Sequence, residues 1–400
     1  MSHKASLEFW NEQTVESIIQ DIISHEWSSQ RPQESTVTFS AEKFCLKKDL
    51  GADSLELFQL ATSVAVFFEL HQVGTEMNLL ESPLLSHWVS VVIDARKKYD
   101  KTLRFCTSGS TGQPKYITKF LPDLIEEAEY WASVLPNVEK IVGVVPRHHL
   151  YGFIFTVLFP SVTQKLYEDI RLSLPTQLND KADGLTALIG YPDYWRTLIK
   201  FGVEFSADFC AITSTAPCPG ALEKQLKDNG LLQLWQIYGS SETSGVGWRE
   251  RGDFPYTLIP YFNSVQDEQT QEWYLERGNK KVTLQDTMNF LSADRFEVLA
   301  RKDKAVQVGG LNVFPAHIAN VLQQISGVQQ AVVRLMNSDE GHRLKAFIVP
   351  DGAINDEERL KKEVYDFCEQ NLRAVERPKS IKVGDRLPKN SMGKITDWHS

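Results

Sequence analysis

The sequence is poor in the features that mark several classes of protein. It has 5 cysteines in 400 residues and no Cys-x-x-Cys pair, which argues against a disulfide framework or a zinc site and predicts reduced thiols in a cytoplasmic protein. The longest apolar stretch, residues 150–160, is well short of the ~20 residues that a membrane-spanning helix needs. Positive charge is not in excess, since 43 lysines and arginines face 52 aspartates and glutamates. The net charge of −9 gives no basis for binding nucleic acid or an anionic membrane.

The rest of the composition is that of an ordinary globular protein, with 42% hydrophobic and 24% charged residues. Four hundred residues exceed one compact core, so we expect several domains. Residues 1–100 are acidic, and their apolar positions recur at helical spacing. Residues 101–300 alternate β-type runs with helical segments, which predicts α/β layering, and residues 301–400 are typical of a small α+β domain. The predicted strands are residues 103–106, 141–145, 209–213, 233–237, 331–335 and 345–349.

A polar loop follows the first of these strands. Residues 107–115 read Thr-Ser-Gly-Ser-Thr-Gly-Gln-Pro-Lys. Glycines let backbone N–H groups approach an anion closely, hydroxyls donate hydrogen bonds and a lysine adds charge. The loop is not a Walker A motif, because no Gly-Lys-Ser/Thr closes it, and alone it is also typical of a polar turn. The candidate phosphate-binding residues are Thr107, Ser108, Gly109, Ser110, Thr111, Gly112 and Lys115.

Four further segments indicate the function of this loop. They are Tyr238-Gly239-Ser240-Ser241-Glu242, then Asp286 with Arg301 after it, then Gly309-Gly310-Leu311-Asn312-Val313-Phe314-Pro315, and finally Pro388-Lys389-Asn390-Ser391-Met392-Gly393-Lys394. In this order and spacing they resemble the adenylate-forming superfamily of acyl- and aryl-CoA synthetases, peptide-synthetase adenylation domains and luciferases. The resemblance covers about three-quarters of the chain. It implies an α/β adenylation core in residues 101–300 and a mobile α+β domain in residues 301–400.

The resemblance implies a two-step reaction and a nucleotide site. A carboxylate attacks the α-phosphorus of ATP to give acyl-AMP and pyrophosphate, and the acyl group then passes to a thiol. The 107–115 loop is expected to hold the β- and γ-phosphates, and Tyr238, Gly239 and Ser240 to pack on the adenine. Asp286 is expected to accept hydrogen bonds from the ribose hydroxyls, with Arg301 nearby.

The same resemblance names four catalytic candidates. Ser241 is expected beside the α-phosphate, Glu242 as the Mg²⁺ ligand, and Lys394 as the bridge between the carboxylate and the α-phosphate. His149, in the segment His148-His149-Leu150-Tyr151-Gly152, is expected to line the acyl pocket. An adjacent histidine pair without partners at ligand spacing does not predict a metal site.

Two departures from the family pattern put parts of this in question. Leu284-Gln285 stands where the family usually has Thr-Gly before the aspartate, so Asp294 is the alternative to Asp286. After Pro315 the chain has Ala316-His317-Ile318-Ala319 in place of Glu-Ile-Glu, which weakens the prediction for the thiol-transfer geometry. Asp303 occupies the hinge position at which the family's small domain rotates.

The part before the phosphate loop is shorter than in the family, and Asp49-Leu50-Gly51-Ala52-Asp53-Ser54-Leu55-Glu56 lies within it. This segment is similar to the phosphopantetheine attachment site of acyl carrier proteins, which implies a carrier-like helical bundle in residues 1–100 with phosphopantetheine on Ser54. A serine at a helix N-terminus is exposed to a phosphopantetheinyl transferase. The alternatives are an unmodified carrier-like fold and a plain helix cap by Asp53 or Ser54.

The sequence therefore predicts an ATP- and Mg²⁺-dependent acid–thiol ligase. The aromatic segment Tyr191-Pro192-Asp193-Tyr194-Trp195 favours an aryl or short acyl acid over a long fatty acid. The acceptor is CoA or the phosphopantetheine of an acyl carrier protein, either in the same chain or separate. The alternative is a non-catalytic carrier or scaffold protein whose adenylation lobe binds nucleotide without turnover.

Overall fold

The computed structural model describes residues 9–31, 37–39, 43–108, 114–268, 273–301, 305–337, 340–351, 357–388 and 395–398. The helices are α1 Glu12–Gln30, α2 Ser54–Phe67, α3 Leu85–Lys98, α4 Leu121–Val134, α5 Leu150–Phe153, α6 Phe159–Thr163, α7 Pro192–Lys200, α8 Gly220–Asp228, α9 Pro315–Leu322 and α10 Glu357–Asn371. A π-type turn, Ile154–Leu158, joins α5 to α6. The strands are β1 Thr102–Ser108, β2 Pro114–Phe120, β3 Lys140–Gly143, β4 Leu166–Asp169, β5 Thr186–Gly190, β6 Phe209–Thr213, β7 Gln233–Ser240, β8 Ser244–Arg249, β9 Tyr256–Leu258, β10 Asn263–Gln266, β11 Trp273–Arg277, β12 Lys280–Val282, β13 Asp286–Ser292, β14 Arg295–Arg301, β15 Val306–Val308, β16 Leu311–Val313, β17 Val328–Leu335, β18 Leu344–Pro350 and β19 Ser380–Val383.

The helices predicted in the first hundred residues are present. Asn11 caps α1 by accepting a hydrogen bond from the backbone N–H of Thr14 (2.9 Å). Asp53 caps α2 in a reciprocal capping box with Glu56, a device that satisfies two otherwise unpaired backbone N–H groups. The apolar faces of α1, α2 and α3 do not close on a core of their own. They join one continuous core with the α/β part, in which the ring of Phe67 packs edge-on against Phe105 (centroids 5.3 Å apart).

A nine-stranded sheet organises the middle of the chain, in the order β13-β14-β9-β8-β7-β6-β5-β3-β4. The half from β4 to β7 is parallel, and the half from β7 to β13 is antiparallel. Successive residues of β5 pack into two different hydrophobic cores, one on each face of the sheet. Ala187 and Ile189 lie in the larger core, whereas Leu188 packs with Trp195 of α7 and Leu226 of α8. Burial on both faces explains why β5 and β6 have apolar sequences without polar alternation.

The carboxyl ends of the parallel strands meet at one edge of this sheet. Gly143, Gly190, Thr213 and Ser240 are the last residues of β3, β5, β6 and β7. In open α/β sheets, ligands bind in the crevice outside such strand ends. The sheet therefore places the loops that follow these strands around one candidate site.

The C-terminal part is an α+β unit, as predicted. Strands β17 and β18 pair antiparallel, β19 adds parallel to β18, and α9 and α10 pack on this sheet through Ile318 and Val364. Lys345, inaccessible to solvent, donates to the Trp398 carbonyl (2.5 Å) and pairs with Asp397 (3.1 Å). These bonds hold the segment after residue 394 on the sheet, while Lys394 itself lies outside the described residues.

Two predicted absences can be compared with this structure. All five cysteines are free, as the sequence predicts. Within the described parts of the chain, every helix is too short or too polar to cross a lipid bilayer.

Candidate active site

A cavity of about 430 Å³ lies at the carboxyl edge of the parallel strands. Its wall is built from the loop after β3, the residue after β5, the Ser214–Thr215 turn after β6 and the turn after β7. The same cavity is lined by Gln307, Gly309, Gly310, Leu311 and Phe314 of the C-terminal part. Segments far apart in the sequence thus converge on one volume, which is within the usual size range of small-molecule sites.

The phosphate-loop candidates lie at the tip of the β1–β2 hairpin. Thr107 pairs with Lys115 across this hairpin, and Ser108 with Pro114. Of Gly109, Ser110, Thr111 and Gly112 nothing is described, because residues 109–113 lie outside the described parts. The Lys115 ammonium approaches the Glu242 carboxylate to 3.5 Å. The structure thus brings together two candidate residues that are 127 positions apart.

The turn between β7 and β8 carries Ser241 and Glu242 into the cavity wall. Ser240 and Thr243 fix this turn, since the Thr243 hydroxyl accepts from the Ser240 backbone N–H (3.0 Å) and the Ser240 hydroxyl accepts from the Thr243 N–H (3.2 Å). Gly239 is required here, because a Cβ on it would be 2.3 Å from the Ser244 carbonyl oxygen. The Tyr-Gly-Ser-Ser-Glu sequence therefore encodes a rigid turn at the cavity.

Two charged groups, the partly buried Lys119 and the buried Glu127, brace this turn from behind. Lys119 of β2 donates to the Glu242 backbone carbonyl (2.5 Å). Glu127 of α4 accepts from the Gly245 N–H (3.1 and 3.2 Å). Burial lowers the pKa of Lys119 to about 8, and the nearby Glu127 and Glu242 carboxylates oppose that shift. Burial raises the pKa of Glu127, against the hydrogen bond from Gly245 and the charge of Lys119.

Asp286 and Arg301 are directly opposite each other on β13 and β14. The Tyr238 hydroxyl donates to the buried Asp286 carboxylate (2.5 Å), so three of the nucleotide candidates are neighbours. Neither Tyr238 nor Asp286 lines the 430 Å³ cavity, whereas their chain neighbours Gly239 and Gln285 do. The alternative, Asp294, is exposed in the β13–β14 turn and accepts a hydrogen bond from Ser292 (2.8 Å). The geometry therefore favours Asp286.

His149 lines the cavity beside Tyr151. Burial, and secondarily the charge of His25, lower the pKa of His149 to about 4. The Tyr151 hydroxyl donates to the carbonyls of Gly190 (3.1 Å) and Ile212 (2.9 Å), which fixes the start of α5 on the ends of β5 and β6. Tyr151 thus presents its ring to the cavity while its polar atom is engaged in holding the wall.

The predicted aromatic segment divides between wall and core. Tyr191 lines the cavity. Trp195 is fully buried, with its indole N–H donating to the Thr213 hydroxyl (2.9 Å), so it packs under the wall and does not line it.

The loop Gly309-Gly310 closes another side of the cavity. Both glycines have positive φ, and a Cβ on Gly310 would be 2.9 Å from the Thr215 hydroxyl oxygen. Only a residue without a side chain allows this close approach of the C-terminal part to the turn after β6.

Sequence reasoning missed several residues of the site. Phe105, Thr215 and Gln285 line the cavity, and Lys119 braces it. His25 of α1 lies 5.9 Å, ring centroid to ring centroid, from His149. Only Gln285 had a local signal, its position beside Asp286. The others carry none, since they reach the site through tertiary packing.

Comparisons with known proteins agree with this architecture. A model of the C-terminal domain of AMP-binding enzymes matches residues 317–394. A 4-coumarate–CoA ligase of Cereibacter sphaeroides is 33% identical over 356 residues, which cover 87% of this chain and 84% of the relative. A protein of the same name from Rhodobacter capsulatus is 33% identical over 361 residues, covering 88% of this chain and 91% of the relative.

Among solved structures, o-succinylbenzoate CoA synthetase from Bacillus subtilis, bound with a product analogue, superposes with a TM-score of 0.61. The match covers 74% of this chain and 68% of that one, at 18% sequence identity. At that identity the likeness shows the fold alone, an adenylation core followed by a small C-terminal domain.

Proposed function

This chain belongs to the adenylate-forming family of AMP-forming ligases, and we propose that it joins an aryl monocarboxylic acid to the thiol of coenzyme A, with ATP converted to AMP and pyrophosphate. Membership of an enzyme family decides against the alternative of a non-catalytic scaffold. The observation that carries the proposal is the convergence of Lys115, Glu242, His149 and Gly310 on one cavity.

The reaction needs two anions to meet, so the site's main task is to neutralise charge and fix positions. Lys115 supplies positive charge at the polyphosphate end, and Lys394 supplies it where the carboxylate attacks the α-phosphorus. The hydroxyl of Ser241 donates to the α-phosphate. His149 orients the carboxylate from the opposite wall.

Glu242 is the residue that would hold Mg²⁺. Its carboxylate is partly exposed at the cavity, and the nitrogen–oxygen distance in its ion pair with Lys115 is a long 3.5 Å. A carboxylate beside serine hydroxyls is an all-oxygen donor set, which fits a hard cation that also takes phosphate ligands. When bound, the ion neutralises phosphate charge.

The wall of the cavity supports an aryl acid. Phe105, Tyr151, Phe155, Tyr191 and Phe314 all line it. Aromatic rings pack against a planar substrate by offset stacking or edge contacts, each worth about 0.5–1.5 kcal/mol beyond the buried area. The 33% identical relatives named 4-coumarate–CoA ligase support the same class, so 4-coumarate is the first substrate to test.

The charge of the cavity wall favours a substrate with one carboxylate group over a substrate with two. Among the described residues that line the cavity, Lys115 is the one with a permanent positive charge, and it lies by Glu242. A second substrate carboxylate buried in this wall would have no cationic partner among these described residues, which is costly.

Coenzyme A is proposed as the acceptor because both of these relatives are named as CoA ligases. The Gly309-Gly310 loop is where the thiol arm would enter, since this loop borders the cavity. The hinge residue Asp303 lies outside the described residues. Rotation of the C-terminal domain at that point remains a proposal from the family resemblance.

The test is acid-dependent exchange of labelled pyrophosphate into ATP, with 4-coumarate, malonate and a long-chain fatty acid compared. We expect exchange with 4-coumarate and little with the other two, followed by thioester formation when CoA is added. Exchange with malonate or the fatty acid at the rate seen with 4-coumarate would contradict the aryl assignment. No exchange with any acid, from folded protein that binds ATP, would contradict the proposed reaction.

Carrier function of the N-terminal part is a separate proposal with its own test. Ser54 is exposed at the first turn of α2, directly after the capping Asp53. Incubation with CoA and a broad-specificity phosphopantetheinyl transferase should add a phosphopantetheine mass to the wild-type chain and none to Ser54→Ala. A folded wild-type chain that gains no mass would leave Asp53 and Ser54 as a helix cap only.

A further inference from the structure

Three histidines from two separate parts of the chain lie close together beside the cavity. His25 lies on α1, and His148 and His149 follow β3. One ring nitrogen from each lies within 4.8 Å of the others. The ring centroids are 4.4 Å apart for His148 and His149 and 5.2 Å apart for His25 and His148.

A buried carboxylate fixes α1 against the loop that holds the histidine pair. Asp21, one helical turn before His25, accepts hydrogen bonds from the Arg147 backbone N–H (2.7 Å) and from the Arg171 guanidinium (2.5 Å). Residues four apart share a helix face. Anchoring Asp21 at Arg147 therefore places His25 opposite His148 and His149.

His148 provides an independent sign that a ligand belongs here. Both of its ring nitrogens are buried, and neither has a hydrogen-bond partner among the described residues. A buried polar atom without a partner is destabilising, because it has lost its hydrogen bonds to water. Coordination of a cation satisfies such a nitrogen, whereas none of the described side chains around it does so.

We propose that His25, His148 and His149 form a three-imidazole site for a divalent transition-metal ion, with Zn²⁺ as the probe. Imidazole nitrogen suits Zn²⁺ and its first-row neighbours, while Mg²⁺ prefers oxygen ligands. Zn–N bonds of about 2.0–2.1 Å require the three nitrogens to move closer together than 4.8 Å. The exposed His25 ring has the freedom to make that adjustment.

The surrounding charge permits a cation. Arg171 is a cationic group near His148, and it is paired with both Asp21 and Asp169 (2.5 Å each). Asp169 also pairs with Arg147 (3.4 Å), so two carboxylates balance two guanidinium groups. The fourth position of a tetrahedral ion is left for water or an exogenous ligand.

The site bears on the proposed function through His149. A histidine has two ring nitrogens, and a metal on one fixes the ring orientation and leaves the other as an N–H donor. Ion binding would therefore position His149 at the cavity wall. Binding of the metal itself does not depend on the proposed acid or thiol, so the two proposals fail separately.

The test is titration of the untagged, chelator-treated full chain with Zn²⁺ by calorimetry, and with Co²⁺ by visible absorption, which reports nitrogen coordination. We expect one equivalent of Zn²⁺ to bind, with no competition from excess Mg²⁺. His25→Gln, at an exposed position that leaves the core intact, should weaken Zn²⁺ binding at least about tenfold. His342→Gln, an exposed histidine in the C-terminal part, is the matched control and should bind as wild type.

Unchanged Zn²⁺ affinity in His25→Gln, or absence of binding by the wild-type chain, would overturn the proposal. His148→Gln adds a second variant on the buried side. If it is folded and still binds Zn²⁺ as wild type does, His148 is not a ligand and the three-imidazole site is wrong. If it does not fold, the exposed His25 variant decides.

Discussion

Replacing Lys119 by methionine tests the brace behind the Ser241–Glu242 turn. The ammonium of Lys119 donates to the Glu242 carbonyl (2.5 Å) and lies near the buried Glu127. Methionine keeps much of the apolar length of the side chain but removes the charge and the donor. The variant therefore separates the electrostatic contribution of this lysine from its packing.

The magnitude follows from the pKa. Burial lowers the pKa of Lys119 from 10.5 to about 8. The folded chain then releases this proton near pH 8, while the unfolded chain holds it to about 10.5, so the folded state gains stability as pH rises through that interval. At about 1.4 kcal/mol per pKa unit, the gain is roughly 3 kcal/mol. Below the lower pKa the lysine is charged in both states, and its burial penalty is fully present.

The assay is urea unfolding of wild type and Lys119→Met at about pH 7 and about pH 10. We expect the free energy of unfolding of wild type to rise relative to that of the variant by roughly 2–3 kcal/mol over this range. Lys382→Met, which removes an exposed lysine from β19, is the matched control and should follow wild type. If wild type and Lys119→Met show the same pH dependence, the lysine is solvated and does not brace the turn from a buried position.

Two further substitutions test the nucleotide end and the mobile lysine. Tyr238→Phe removes the donor to Asp286 (2.5 Å), a charge-assisted bond worth about 1.5–3 kcal/mol; we expect the KM for ATP in pyrophosphate exchange to rise about tenfold and the KM for the acid to change little. An equal rise in both KM values would mean that the tyrosine supports the whole site and not the ribose end. Lys394→Ala is expected to lower the exchange rate by orders of magnitude while ATP binding, measured by calorimetry, persists, and an unchanged rate would remove this lysine from the mechanism.

Elements with strong local signals were predictable. The apolar run at residues 209–213 is β6 as predicted. The predicted strand at residues 233–237 is longer in the structure, since β7 continues to Ser240. Its end is set by antiparallel pairing with β8, in which Gly239 is opposite Gly245 and Ser240 is opposite Ser244, and apolar content does not indicate this pairing.

The choice between Asp286 and Asp294 depends on strand register, which the sequence alone does not give. The family resemblance puts Asp286 and Arg301 at the same nucleotide site, and the two residues are cross-strand partners on β13 and β14. Asp294 is in the turn of that hairpin, exposed to solvent. The register of this strand pair cannot be derived from residue spacing alone. The β-bulges between Thr287 and Met288 and between Phe290 and Ser292 decide which residues are opposite each other.

Local sequence alone determined the family resemblance, the order of the motifs, the helical character of the first hundred residues and the six predicted strands, because these depend on spacing and on side-chain chemistry over a few residues. Tertiary structure decided that the N-terminal helices share the core of the sheet, that Lys119 braces Glu242, and that His25 meets His148 more than a hundred residues later. Such contacts depend on how helices and strands pack. Packing follows from burial and charge pairing over the whole molecule, as Asp21 shows by fixing α1 at Arg147.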